Sequence, residues 1–144
     1  MKSSNVAFKS LRQDWETPEE FYRELDKEFN FDFDPCPAGN YTEGGGQVDG
    51  LKIEWGKSNY VNPPYTSKVQ DAFIKKGFEE WKKGKTVVFL IPARTDTKRF
   101  HNFLLPYAEI RFIKGRLKFK GAKFSAPFPS MVCILHKGQK GVKE

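Results

Sequence analysis

Cysteine, histidine and methionine are scarce in this chain: each occurs twice in 144 residues. Cys36 and Cys133 are far apart and come with no secretory context, so they read as two reduced thiols rather than a disulfide. His101 and His136 sit in no metal-ligand pattern, and no metal is expected. There is no His-x-Glu, and Pro35-Cys36 lacks a second cysteine three residues on, which excludes the zinc deaminases. No apolar run is long enough to span a membrane, and no signal-peptide pattern is present. The expected location is therefore cytoplasmic, and Asn40-Tyr41-Thr42 matches a glycosylation acceptor by chance.

Acidic residues are scarce in one half only. Residues 1–80 hold 10 Lys/Arg and 15 Asp/Glu; residues 81–144 hold 15 Lys/Arg and 3 Asp/Glu. The halves carry −5 and +12, giving the net +7. Such a split suggests a polyanion surface beside a separate small-molecule region, or else a solvated basic face with no partner. What the chain does have is aromatic bulk, with 14 Phe and 15% aromatics, enough for one packed core.

The pattern predicts a polar arm over 1–14, a single domain over 15–136 and a tail over 137–144. Thr17-Pro18-Glu19-Glu20 predicts a helix start, with Thr17 as cap, Pro18 in the first turn and Phe21, Tyr22, Leu25 and Phe29 on one face. Phe31-Asp32-Phe33 reads as a short strand closing at Asp34-Pro35-Cys36-Pro37, and residues 38–50 read as loop. Asn59 to Val61 is the next strand. A helix follows with Val69, Phe73, Phe78 and Trp81 near helical spacing and Gly84 as its stop. Thr86 to Ile91 is an apolar run of the kind buried on both faces, ended by Pro92. A short helix with Phe100, Phe103 and Leu104 is expected next, capped by Thr95 or Asp96. Strands are expected at Ala108 to Ile113, Arg116 to Lys120 and Met131 to Leu135. This order predicts a small three-layer α/β sheet, mostly parallel, with antiparallel strands toward the carboxyl end.

The densest chemistry lies at Asn62-Pro63-Pro64-Tyr65. Neither proline has an N–H to donate and each fixes its own φ, so the backbone leaves the sheet stiffly. One amide and one aromatic ring are then held at a strand's carboxyl end, where open α/β sheets bind ligands. An amide oxygen and backbone carbonyls accept from an exocyclic amine, and a ring stacks on a flat base.

This tetrapeptide after a strand resembles the catalytic motif of amino-group methyltransferases that use S-adenosylmethionine. Further matching segments are Trp15-Glu16-Thr17-Pro18, Asp34-Pro35-Cys36, Asp49-Gly50-Leu51 with Glu54-Trp55, and Pro92 to Thr97. Gly115-Arg116-Leu117-Lys118-Phe119, leading to Ser125 through Ser130, completes the set. Together they resemble the small DNA N6-adenine methyltransferases of bacteriophages and prophages, over nearly the whole domain. The resemblance implies a Rossmann-like methyltransferase fold, S-adenosylmethionine as cofactor, and transfer of its methyl group to adenine N6 in DNA.

By that resemblance Asn62 and the Pro63 carbonyl accept the hydrogens of the amine, Pro64 stiffens the turn, and Tyr65 stacks on a base flipped from the duplex. Trp15, Thr17, Pro18, Asp34, Pro35 and Cys36 are the implied cofactor residues, Asp34 near the methionine end. Glu54 is implied at the cofactor's adenine amine with Trp55 against the ring; a surface carboxylate and a core tryptophan are the competing reading. No glycine-rich turn follows the first strand, since Gly44-Gly45-Gly46 comes too late. Arg94 is placed beside the target base or the DNA backbone. Arg116, Lys118, Lys120 and Lys123, alternating with Leu117, Phe119 and Phe124, suit phosphate contact. Phe128, between two prolines, either presents its ring to the base or cofactor or packs in the core.

The same four residues fit a cytosine N4 amine, so an N4-cytosine DNA methyltransferase is the nearest rival. RNA and protein-glutamine methyltransferases carry the tetrapeptide too, but the basic half favours DNA. From another class, a non-catalytic basic DNA-binding module is the alternative. No segment marks an oligomer interface.

Overall fold

The computed structural model describes residues 16–37 and 50–138. The expected arm at 1–14, Trp15, most of the loop expected at 38–50, and tail residues 139–144 lie outside the described residues.

The first helix, α1, spans Glu19–Phe29. Glu19 and Glu20 set two carboxylates at its positive end, and Asn30 closes it in the left-handed conformation at φ 51°. The capping expectation fails here: Pro18 is itself the N-cap residue, and no side chain caps the helix. The Thr17 hydroxyl is engaged elsewhere. Phe31 to Phe33 then runs beside the next strand, but as a single parallel bridge, Phe33 to Asn59, rather than a strand.

Strand β1 (Ser58–Val61) leads through the proline turn into helix α2 (Ser67–Lys82), which returns the chain to strand β2 (Thr86–Pro92). β1 and β2 pair in parallel from Ser58–Thr86 to Val61–Phe89. Gly77 sets how closely α2 approaches the sheet, because a Cβ there would sit 2.5 Å from Phe89 Cζ. A π-helical turn (Phe100–Leu104) follows, closed by the Leu105 N–H donating to the Phe100 carbonyl. Its first N–H, at Phe100, donates to Thr97 Oγ1 at 3.3 Å, so Thr97 does the work expected of Thr95 or Asp96.

Strand β3 (Glu109–Phe112) and strand β4 (Ser130–Leu135) complete a four-stranded sheet in the order β1-β2-β4-β3. β4 is antiparallel to both β2 and β3. The fold is α/β as expected and its later strands are antiparallel, but the sheet is mixed rather than mostly parallel, because β4 inserts between β2 and β3.

β2 alternates between two cores, as a strand buried on both faces must. Val87, Phe89 and Ile91 join Phe73, Ile74 and Trp81 of α2. Val88 and Leu90 join Leu25 of α1, together with Phe119, Ala126 and Phe128 from the segment between β3 and β4. That segment, 113–129, contains no strand: the expected strand over Arg116 to Lys120 is an irregular extended stretch. Gly115 and Gly121, at φ 74° and 80°, turn the chain at both ends of it. Its alternating apolar residues are used in packing on α1 and Tyr65 rather than in a ladder. No helix among the described residues is long and apolar enough to cross a membrane.

Candidate active site

Asn62 leaves the carboxyl end of β1 on the turn made by Pro63 and Pro64, both buried. It borders a cavity of about 340 Å³. One wall comes from the start of α1, with Thr17, Glu19 and Tyr22; another from Asp34, Cys36 and Pro37. Tyr60 lies beneath, and Glu16 and Lys120 form the remaining rim.

The Asn62 amide is held at both ends. Its Oδ1 accepts the Tyr65 hydroxyl at 2.7 Å, and its Nδ2 donates to Thr17 Oγ1 at 3.2 Å. Thr17 Oγ1 lies 2.6 Å from the Tyr60 hydroxyl. The Tyr65 hydroxyl also reaches the Leu90 carbonyl at 3.3 Å, an acceptor only, so the phenol is a donor. Burial pushes the Tyr65 phenol well above its ordinary range, which keeps it protonated. Its ring is braced edge-on by Phe128 at 5.3 Å and Phe119 at 6.3 Å. Phe128 is thus packed behind Tyr65, consistent with the core reading of that residue.

Asp34 sets the electrostatics. Burial raises its carboxyl from 3.8 to about 6, against the Cys36 N–H, which donates to Oδ1 at 2.9 Å and stabilises the charge. A desolvated carboxylate with one backbone donor among the described residues suits a cationic ligand. The Cys36 thiol is pushed up by burial and then by Asp34, so it is a neutral wall residue rather than a nucleophile.

The basic residues gather at the same end of the sheet. Arg94 follows the end of β2 and is exposed, and segment 113–129 enters β4 at Ser130, which pairs with Pro92. Arg116, Lys118 and Lys123 are exposed. Lys120 is tied to the cavity rim: its N–H donates to the Glu16 carbonyl at 2.9 Å and its ammonium lies 3.4 Å from the Glu16 carboxylate.

Glu54 and Trp55 are not brought to this cavity. They precede β1, at the opposite end of the strand from Asn62. Glu54 pairs with Lys85 at 3.1 Å, and Trp55 is buried with its Nε1–H on the Gly50 carbonyl at 2.7 Å. Pro18 and Pro35 flank the wall residues, and Trp15 is outside the described residues. No group of His, Cys, Asp and Glu among the described residues is arranged to hold a metal ion.

Tyr60, like Glu19, Tyr22 and Pro37, lines the cavity but was not singled out as a site residue from the sequence. Its signal was there: a tyrosine on a strand buried on both faces needs a partner for its hydroxyl. That partner is Thr17, 43 positions away.

No curated protein matches the chain. The family model of the DNA N-6-adenine-methyltransferases (Dam), in contrast, matches residues 4–137, nearly its full length. A proline-stiffened asparagine amide, a buried carboxylate and a basic rim therefore sit within a family-wide match, and the chain belongs to the DNA N-6-adenine-methyltransferase (Dam) family.

Proposed function

We propose that this protein is a small phage-type enzyme that transfers a methyl group from S-adenosylmethionine to the N6 amine of adenine in DNA. Family membership carries methylation of adenine N6 in DNA. The donor, the residue roles and a three-layer Rossmann-like description of the fold are our reading.

The observation that carries it is the Asn62 amide at the cavity wall, its oxygen accepting the Tyr65 hydroxyl. That oxygen is an acceptor of the kind an N6–H requires. The Pro63 carbonyl takes the second hydrogen. Accepting both hydrogens draws the nitrogen lone pair out of ring conjugation, so the contribution is positioning and electrostatics. Tyr65 holds the flipped base against its ring. Arg94, Arg116, Lys118, Lys120 and Lys123 hold the phosphates.

The cavity's charge fits S-adenosylmethionine, which carries an ammonium and a sulfonium. Asp34 would hold the ammonium, with Thr17 and Cys36 as wall residues. When bound, the cofactor supplies an electrophilic methyl group.

The test is expression of wild type and Asn62→Ala in a host lacking adenine methylation, followed by nucleoside mass analysis of host DNA. N6-methyladenine from the wild type alone is the expected result. N4-methylcytosine, or neither product from soluble protein, overturns the reading.

A further inference from the structure

We infer that Thr17 and Tyr60 are positioning residues that keep the Asn62 amide turned with its oxygen toward the substrate amine; this rests on the functional reading above. A carboxamide has two nearly isosteric orientations, related by a half-turn about its last torsion. Only one presents an acceptor to the substrate. The other presents an NH₂ group to an NH₂ group, and nothing can be accepted.

The sequence Asn-Pro-Pro-Tyr does not by itself choose between them. The Tyr65 hydroxyl has two carbonyl acceptors within reach, Asn62 Oδ1 at 2.7 Å and Leu90 O at 3.3 Å. Were its proton turned wholly to Leu90, the same phenol oxygen would accept from a reversed amide. The choice is therefore made at the other end, where Asn62 Nδ2 meets Thr17 Oγ1 at 3.2 Å. A hydroxyl is ambivalent, but this one is already engaged 2.6 Å from the Tyr60 hydroxyl. The relay requires the Thr17 proton to go to Tyr60; Thr17 then offers Asn62 only lone pairs, and only NH₂ satisfies them.

Tyr60 is well built for this task. It is 2% exposed, its ring lies edge-on to Tyr22 at 5.0 Å and tilted against Phe31 at 5.3 Å, and its backbone is fixed in β1. The hydroxyl therefore has one place to be. Thr17 is fixed in turn by the chain entering α1, whose neighbour Glu16 is clamped by Lys120. The relay runs from the core through Tyr60 and Thr17 to the amide, and none of its links needs a bound ligand.

Thr17→Val and Tyr60→Phe remove the hydroxyls with little change of shape, and Thr17→Ser keeps the relay. Two readouts apply to the full chain. The first is the exchange of the Asn62 side-chain amide protons, followed by NMR on protein labelled with ¹⁵N at asparagine. The second is steady-state kinetics on DNA. Thr17→Val and Tyr60→Phe are expected to speed the Asn62 amide exchange and to lower kcat about ten- to a hundredfold, with KM for DNA within about twofold. Thr17→Ser is expected to restore both. Wild-type exchange and kcat in both hydroxyl-less variants, or a Thr17→Ser variant as impaired as Thr17→Val, overturns the inference. A wild type that leaves adenine unmethylated sinks the functional reading instead, while amide exchange still decides the relay. If Thr17→Val does not fold, Tyr60→Phe alone carries the comparison.

Discussion

The Tyr65 hydroxyl donates to the side-chain oxygen of Asn62 at 2.7 Å, three residues back along the same rigid turn. In the proposed mechanism Tyr65 has two separable functions, a ring to hold the base and a phenol to polarise the amide. Tyr65→Phe is expected to lower kcat about tenfold with little change in KM for DNA, because only the second function is lost. Tyr65→Ala loses both and is expected to raise KM as well. Steady-state kinetics on one oligonucleotide substrate checks this; equal effects from the two variants would remove the phenol from the mechanism.

Asn62→Ala removes the acceptor altogether. Transfer is expected to fall about a thousandfold, the scale of losing one oriented hydrogen-bonding group at a reacting centre. Binding of the demethylated cofactor product, measured by calorimetry, is expected to stay close to wild type, because Asp34 and the α1 wall remain.

Asp34 makes ligand binding depend on pH. Its carboxyl titrates at about 6 in the folded protein rather than at 3.8, so it is mostly charged at pH 7 and mostly neutral at pH 5. A cationic ligand held by Asp34 is expected to bind about tenfold more weakly at pH 5 than at pH 7. Asp34→Asn flattens that profile at the weaker level. Stability runs the other way. A carboxyl whose folded value is raised favours the fold when protonated, so the unliganded protein loses stability as pH rises from about 4 through about 6. Asp34→Asn is therefore expected to stabilise the unliganded protein at pH 7 by about 1–2 kcal/mol, read by thermal melts across pH.

Away from the cavity, Glu80 anchors the opposite end of the sheet. Its side chain is 1% exposed and pairs with Lys76 at 2.9 Å, with Lys83 at 3.2 Å and with Lys85, and it accepts from the Trp55 N–H. Burial alone would raise its carboxyl, but the bonds from Lys85, Lys76, Trp55 and Lys83 outweigh it and hold it at about 2 rather than 4.5. Its stabilisation is complete above about pH 4.5 and disappears as pH falls through about 2. Glu80→Ala is expected to cost about 3–5 kcal/mol at neutral pH, since three cations lose their shared partner. Urea unfolding measures this, and a cost below about 1 kcal/mol would remove Glu80 as an anchor.

The basic segment between β3 and β4 predicts a salt signature. Arg116→Ala, Lys118→Ala and Lys123→Ala are each expected to reduce the slope of log binding constant against log salt by about 1, uniformly across DNA sequences. Lys120→Ala is expected to do more, because it also releases Glu16 at the cavity rim. Fluorescence anisotropy over a salt series separates these outcomes. Unchanged slopes in all four variants would move DNA to another face.

Much of this was legible in the sequence where the signal is local. The apolar run of β2, the stiff Asn-Pro-Pro-Tyr turn and the loop at Asp34 all declare themselves within a few residues. Distant pairings explain what was not. Thr17 looks like a helix cap by its neighbours, yet its hydroxyl is captured by Tyr60 and Asn62. Glu54-Trp55 precedes β1 in sequence, but the indole bond to Gly50 and the Lys85 ion pair keep it at the strand's far end. Arg116 to Lys120 alternates like a strand, but its apolar members pack against α1 and Tyr65, and it joins no ladder. The sheet order was hidden for the same reason. Nothing in β4's own residues says that it will enter between two strands made before it.

That order governs how the protein is made. A chain synthesised as far as Phe112 already holds β1, β2, β3 and the whole Asn62–Tyr65 turn, yet β2 and β3 still lack the strand that joins them. The segment that braces Tyr65 and the strand that fills both cores are made after all three. Each nascent chain therefore carries its Asn62–Tyr65 turn without its brace until segment 113–129 and β4 have been made and have left the ribosome.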